Sequence, residues 1–298
     1  MIKRTLFFGN PAYLSTKNEQ LVVAFPKGEQ PERIVPLEDV GMVVLEHQQI
    51  TVTNGLLSKL TDLKVAVVSC NAQHMPEGIL LPMHGHTEHT ERIRFQLEAS
   101  LPLKKNLWQQ TVTAKINNQA GLLKEKGVAI QKLQHLAKNV NSGDTGNHEA
   151  QAAAYYWQHL FHIPDFNRTQ VGIPPNNLLN YGYAILRAVI ARALVSSGML
   201  PQLGIWHRNK YNAFCLADDI MEPYRPFVDM VVCHIVETED DYSELTVDLK
   251  KELLSIPALD VQIDGQKSPL MVAASRTTSS LFDCFAGTGR KIIYPDYG

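Results

Sequence analysis

Leu81-Pro82-Met83-His84-Gly85-His86 stands where the hydrophobic period of the chain changes, and that change decides the fold class. Upstream, short β-branched or aromatic runs alternate with turn residues: Thr5 to Phe8, Gln20 to Phe25, Met42 to Leu45 and Val65 to Val68. Gly9-Asn10-Pro11 and Lys17-Asn18-Glu19 supply turns between the early runs. One helix interrupts this pattern, where Leu56, Leu57, Leu60 and Leu63 fall at helical spacing. Downstream, from about Glu91, Ile93 and Leu97 and later Ile130, Leu133 and Leu136 repeat at three and four residues. Pro76-Glu77-Gly78 and the hexapeptide itself form the break between the two regimes. The expectation is an α+β chain: a small, mostly antiparallel β-rich N-terminal domain over 1–80, a linker over 81–92 and a larger all-helical domain over 93–298.

The bulk composition narrows the class. With 298 residues, 45% of them hydrophobic and 19% charged, the chain has the makeup of a folded globular protein with room for two cores. Cys70, Cys215, Cys233 and Cys284 lie far apart without a CxxC pair, and read as reduced core residues. No apolar run approaches the roughly 20 residues of a membrane-spanning helix, and Met1-Ile2-Lys3-Arg4 opens no secretory signal. The expected compartment is the cytoplasm, with no membrane contact. Lys and Arg number 28 against 30 Asp and Glu, a net charge of −2, so any nucleic-acid contact must come from local basic patches.

Several chemistries are excluded by what is missing. There is no glycine-rich phosphate loop ending in Gly-Lys-Ser/Thr, hence no ATP site, and no Gly-x-Ser-x-Gly elbow of an esterase. Gly287-Thr288-Gly289 is half a dinucleotide fingerprint at the wrong end of the chain.

Three segments carry candidate ligands. Glu149 falls in the first turn of a helix that begins near His148, after the polar stretch Asn141 to Asn147, with Ala153, Tyr156, Trp157 and Leu160 as its packed stripe. An acid there also complements the helix dipole, which is the structural alternative. His207 follows Gly204-Ile205-Trp206 after a helix running from about Asn177 to Ser197; a lone histidine is otherwise structural. In Leu216-Ala217-Asp218-Asp219-Ile220-Met221-Glu222-Pro223, Asp219 and Glu222 share a helical face while Asp218 points about 100° away. A solvated acidic face is the alternative for that pair. Together, paired acids, one imidazole and a distant glutamate can hold Mg²⁺ or Mn²⁺. A competing cluster, His84, His86 and His89 with Glu88 and Glu91, has the spacing H-x-H-x-x-H but lacks the fourth ligand of structural zinc. With Arg92 and Arg94 it reads as a linker that touches phosphate.

Taken in order, these pieces resemble the CRISPR spacer-acquisition integrase, the CRISPR-associated protein 1 family, over nearly the whole chain. The resemblance rests on Phe8-Gly9-Asn10-Pro11-Ala12-Tyr13-Leu14-Ser15, Pro36-Leu37-Glu38-Asp39-Val40-Gly41, Asn176 to Ala184, Gly204-Ile205-Trp206-His207, and Leu216 to Glu222 followed by Pro223-Tyr224-Arg225-Pro226. The shortness of the chain and the sequence around Asn180 look most like members from type II systems.

This resemblance implies a dimerising β-rich N-terminal domain, a helical catalytic domain and a homodimer that joins CRISPR-associated protein 2. It further implies other type II adaptation proteins and the effector nuclease as partners. Glu149, His207 and Glu222 correspond to the family's metal ligands, with Asp219 as an auxiliary acid. The substrates implied are double-stranded DNA, both a captured fragment and a CRISPR repeat. Without ATP, strands must be joined by direct transesterification from a 3′-hydroxyl. Expected phosphate contacts are Arg208, Lys210 and Arg225, with His84 and Arg92 in the linker; each has a solubilising surface role as its alternative. Arg187 and Arg192 project from the preceding helix toward DNA or toward helical acids, while Tyr181 and Tyr183 read as core aromatics. Two departures from the family pattern stand out: Ala150 where many relatives have glycine, and Glu222 where many have aspartate. The rival readings are a nuclease that cuts branched DNA without joining it, and a non-catalytic DNA-end scaffold.

Overall fold

The structure, a computed structural model, describes residues 3–26 and 30–297; Met1 and Ile2, part of the segment expected to open no secretory signal, lie outside the described residues. The chain divides into two compact units, Met1–Gly85 and His86–Gly298.

In the N-terminal unit, β1 (Arg4–Phe8), β5 (Val40–Leu45), β7 (Ala66–Cys70) and β8 (Pro76–Leu80) form one sheet in that order. A second sheet runs β4 (Arg33–Pro36), β3 (Gln20–Ala24), β2 (Tyr13–Lys17) and β6 (Thr51–Val52). The β2–β3 hairpin turns at Asn18 and Glu19, whose φ values of +51° and +55° are those of a tight two-residue turn. The first sheet corrects the expectation of a mostly antiparallel domain: β1, β5 and β7 run parallel, and only β8 is antiparallel. Parallel neighbours need crossover connections, and the chain supplies one between β5 and β7 with α1 (Asn54–Asp62). Thr53 caps α1 by accepting from the Leu56 amide, while Leu56 and Leu60 bury into a core with Leu14, Leu21, Val23, Val40, Val43 and Val67. Strand β5 is buried on both faces from Val40 to Val44, as a central parallel strand requires.

The second unit begins with α2 (His89–Glu98), so residues 89–92 of the expected linker are helical. There follow α3 (Leu101–Glu125), α4 (Gln131–Asn139), α5 (His148–Leu160), α6 (Asn176–Ser196), α7 (Cys215–Met221), a 3-10 turn (Glu222–Tyr224), α8 (Arg225–Thr238), α9 (Val247–Leu253) and α10 (Leu270–Ala286). The unit is not all-helical: β9 (Asp260–Ile263) pairs antiparallel with β10 (Gln266–Pro269) and β11 (Pro295–Asp296). Its hairpin turns on Asp264-Gly265, both at positive φ, a turn signal the expected helical period overrode.

Helix α6 is the axis of this unit. Against the expectation that no segment reaches membrane-spanning character, α6 is the one helix among the described residues long and apolar enough to do so by length and composition. Its apolarity is that of a core helix, since 72% of its most apolar window is buried. A side chain at Gly182 would put its first carbon 2.5 Å from Val228 Cγ1, so glycine is what allows α8 to approach α6. Gly287, at φ +76°, terminates α10, with the Thr288 and Gly289 amides donating to the Asp283 carbonyl. The half fingerprint is therefore a helix C-cap. Cys215, Cys233 and Cys284 are buried free thiols and Cys70 is half-buried. Burial pushes the Cys233 thiol up to about 12, which keeps it protonated and inert.

Candidate active site

Glu149 owes its position to an acid that sequence reasoning passed over. Helix α5 starts after Asn147, whose φ is +53° and whose side chain makes no cap. The cap comes from Asp144: its Oδ1 accepts from the His148 amide at 2.9 Å and its Oδ2 from the Glu149 amide at 3.0 Å. Two otherwise orphaned N–H groups are thereby satisfied and the first turn is locked. The Glu149 carboxylate then meets the ammonium of Lys115, which donates to Oε1 at 2.7 Å from the middle of α3.

The same ammonium stands 2.6 Å from Glu222 Oε2, and Arg225, three residues on, donates through Nε to Glu222 Oε1 at 2.8 Å. Burial alone would raise the Glu222 carboxyl, but Arg225 and Lys115 outweigh it and hold it down at about 2. Burial likewise disfavours the charge on Lys115, yet Glu222 and Glu149 together raise its pKa above the ordinary lysine value. The Lys115 ammonium is the partner of that buried Glu222 Oε2.

His207 is fixed by Asp219, which is completely buried. Asp219 Oδ2 accepts from the Trp206 amide at 2.9 Å, Oδ1 from the His207 amide at 3.3 Å, and Oδ1 lies 2.5 Å from imidazole Nδ1. That leaves Nε2 as the nitrogen not engaged by Asp219, the carboxylate–imidazole arrangement found behind metal-bound histidines. The hydrogen bond to Asp219 raises the His207 pKa against the burial that lowers it, and the charges of Glu222 and Glu149 raise it further. The imidazole packs edge-on to the buried Trp108, whose other partner is the stacked ring of Trp206 at 5.6 Å. A side chain at Gly204 would fall 2.8 Å from Asp219 Oδ2, which explains the glycine in Gly204-Ile205-Trp206-His207.

The three expected ligands thus share one electrostatic site. They do not form a closed ligand set: among the described residues no three His, Cys, Asp or Glu side chains converge closely enough to hold a metal ion. The donor types nonetheless fit a Mg²⁺ or Mn²⁺. Two carboxylates point at one cation position, and the imidazole is oriented by a carboxylate behind it. The cation now at that position is the Lys115 ammonium.

Among the remaining expected residues, Asp218 faces away from the site, as the helical geometry implied, and is bound by Arg187 and by Asn212. Arg208 and Lys210 are exposed beside His207. Lys104 has its pKa lowered by burial and by the charge of Arg208, so these belong to one basic patch. Arg225 is engaged with Glu222 and lies over the Tyr183 ring at 4.4 Å, rather than standing free for phosphate. Arg92 is also engaged within its unit: it donates to the Ser197 carbonyl at 3.1 Å, pairs with Glu88 and lies 3.9 Å over Phe282. His84 is exposed at the end of the N-terminal unit. Tyr181 and Tyr183 are core residues, and the Tyr183 and Tyr156 hydroxyls donate to Asp229 at 2.5 and 2.7 Å. Burial pushes that carboxyl up to about 6. The residues missed were Asp144 and Lys115. For Lys115 the available signal was its place between Val112 and Gln119 on a helix that buries polar Thr111, Asn118 and Gln119.

Residues 6–250 match the family model described as CRISPR associated protein Cas1. The CRISPR-associated endonuclease Cas1 of Neisseria meningitidis serogroup C (strain 8013) is 39% identical over 282 residues, covering 94% of this chain and 91% of that protein. Among solved structures, a casposase bound to its integration product superposes with a TM-score of 0.77 at 19% identity, covering 100% of this chain and 93% of the other. A Cas6-RT-Cas1–Cas2 complex follows at 0.73 and 20%, covering 98% of this chain and 36% of that one. At those identities the structures speak for the fold; the family model and the Neisseria relative speak for descent, and by them the chain belongs to the CRISPR associated protein Cas1 family.

Proposed function

We propose that the chain is a metal-dependent DNA integrase and endonuclease that joins the 3′ end of a captured DNA fragment to a CRISPR repeat, with Glu149, Glu222 and His207 Nε2 as ligands of Mg²⁺ or Mn²⁺. The observation that carries this reading is the convergence of Glu149 and Glu222 on one cation position at 2.7 and 2.6 Å, beside a histidine that feels both charges. When bound, the metal supplies Lewis-acid activation of the attacking hydroxyl and neutralises charge developing on the phosphate. Everything else in the step falls to the chain. Asp219 holds the imidazole so that Nε2 faces the site, and Arg225 keeps Glu222 ionised and in place. Arg208, Lys210 and Lys104 carry the DNA backbone toward it.

In the reaction, the 3′-oxygen attacks phosphorus, a new phosphodiester forms, and the displaced strand of the repeat leaves with a free 3′-hydroxyl. One ester bond replaces another, so no nucleotide cofactor is needed. The fold shared with a Cas1–Cas2 complex and with a casposase on its integration product supports DNA and CRISPR-associated protein 2 as partners, and a second copy of this chain is proposed from the family resemblance alone. The test mixes the protein, with and without CRISPR-associated protein 2, with short duplexes bearing 3′-hydroxyls and a supercoiled plasmid carrying a repeat. Mn²⁺, Mg²⁺ and EDTA are compared, and the assay is repeated with His207→Ala. Covalent attachment that needs metal and is lost in the variant is expected. Cutting without joining would make the chain a nuclease only, and wild-type joining by the variant would remove His207 from the site.

A further inference from the structure

Lys115 belongs to none of the residue sets through which the site is expected to act, yet its ammonium is at the centre. Its side chain is only 12% exposed and contacts one oxygen of each glutamate. Two carboxylates brought together in a buried place repel unless a cation lies between them, so the pair is held in register by that ammonium. A divalent cation taking the same two oxygens needs them at about 2.0–2.2 Å, which leaves no room for a nitrogen between them. Binding of metal and bridging by Lys115 therefore exclude one another.

A place for the displaced ammonium exists. A cavity of about 180 Å³ adjoins Glu222 and is lined by Lys115 itself, Gln119, Tyr183 and Asp229, and also by Arg168 and Arg225, the first held by Asn176 and Asn180 and the second by Glu222. Gln119 is one helical turn from Lys115 on α3 and is 3% exposed. Its Oε1 is a buried acceptor with no hydrogen-bond partner, a costly arrangement for a side chain so enclosed. The Asp229 carboxylate on the cavity wall already accepts from the Tyr183 and Tyr156 hydroxyls, so the berth for an ammonium is Gln119 Oε1.

Resting on the metal-site reading above, we propose that Lys115 is a displaceable counter-cation: it bridges Glu149 and Glu222 while no divalent cation is bound, and withdraws into the adjoining cavity, onto Gln119, when one binds. The device keeps the two ligands assembled without metal and makes metal binding a switch of α3's lysine as well as of the carboxylates.

The test is the affinity for Mn²⁺ alone, measured by the paramagnetic resonance of the free ion, on the full-length wild type and on Lys115→Met, Lys115→Arg and Gln119→Met, with circular dichroism to confirm folding. A site open to metal for only about a tenth of the time binds about tenfold more weakly than one always open, so Lys115→Met should bind Mn²⁺ about tenfold more tightly. Lys115→Arg, which keeps the charge, should not gain, and Gln119→Met, which removes the berth, should bind more weakly than wild type. A structural role for Lys115 would not produce these opposite signs. Should Lys115→Met fail to fold, Gln119→Met decides. Wild-type binding with Lys115→Met no tighter, or with Gln119→Met unchanged, overturns the displacement and leaves the metal site standing. Absence of Mn²⁺ binding by folded wild type and folded Lys115→Met together would remove the metal site and this proposal with it.

Discussion

Glu222→Gln removes one charge from the site while keeping the side chain's shape, and its cost can be worked out from the structure. The carboxyl of Glu222 is held at about 2, against 4.5 for an unperturbed group. A difference of about 2.5 pKa units corresponds to about 3 kcal/mol of stability carried by the ionised form. Loss of one partner from a buried ion pair gives a similar figure, about 3–5 kcal/mol, because Arg225 and Lys115 keep charges that Glu222 no longer offsets. The pH dependence follows from the direction of the shift. A carboxyl depressed in the folded state contributes fully above its unfolded pKa of 4.5 and loses its contribution as pH falls through the folded value of about 2. By linkage, the gap between wild type and variant should be about 3 kcal/mol at neutral pH and shrink to about half near pH 3. Urea unfolding followed by circular dichroism, in EDTA to keep metal out, measures the gap at each pH. A neutral-pH gap below about 1 kcal/mol, or one that does not move with pH, would refute the account of Glu222 as a doubly paired buried anion.

Three further outcomes are expected. Asp219→Asn should lower the His207 pKa, read by nuclear magnetic resonance titration, because the largest influence raising it is the hydrogen bond that the imidazole donates to Asp219, and it should slow strand joining about 10–100-fold. An unmoved titration would mean that Asp219 does not orient the ring. Gly182→Ala places a carbon 2.5 Å from Val228 Cγ1 and should destabilise by about 1–3 kcal/mol in thermal melts, without altering the site directly. The double variant Arg208→Ala with Lys210→Ala should weaken binding to branched duplex DNA, and should flatten the dependence of log affinity on log salt by roughly one for each phosphate that is no longer neutralised, measured by fluorescence anisotropy.

The parts of the fold legible from residues alone were those whose signal is local. Leu56, Leu57, Leu60 and Leu63 announced α1, and Lys17-Asn18-Glu19 announced the turn that the structure shows between β2 and β3. The parallel order of β1, β5 and β7 was not legible, because a strand's neighbours in space are set by the crossovers between strands and not by its own alternation. Val40 to Val44 are buried on both faces, and such a run carries no period-two mark of its direction. The β9–β11 sheet escaped for a different reason: strands of four and two residues are too short for any period to register against flanking helices. In the site, Glu149 in a first turn and His207 after a glycine loop were candidates with a structural alternative beside each, and it was the family resemblance that singled them out. Lys115 was not a candidate, since its partners come from α5 and from the turn before α8, and nothing near it marks it as paired.

The departure at position 222 now has a physical sense. Aspartate at that position would bring its carboxylate one methylene closer to the backbone, whereas the longer glutamate presents Oε1 to Arg225 and Oε2 to Lys115 at once. Asp219, one helical turn earlier, uses its shorter reach differently: its oxygens are taken up by two backbone amides and the imidazole, and none is left for a cation. The two acids share a face, as their spacing implied, yet one builds the wall behind the histidine and the other enters the site. Ala150, the second departure, is exposed and lies outside these contacts, so it leaves the geometry untouched. Division of labour between Asp219 and Glu222 leaves the Glu222 carboxylate to meet the cation position that the Lys115 ammonium occupies. The carboxylates that meet that ammonium are anchored from outside, Glu222 by Arg225 and Glu149 by the Asp144 cap.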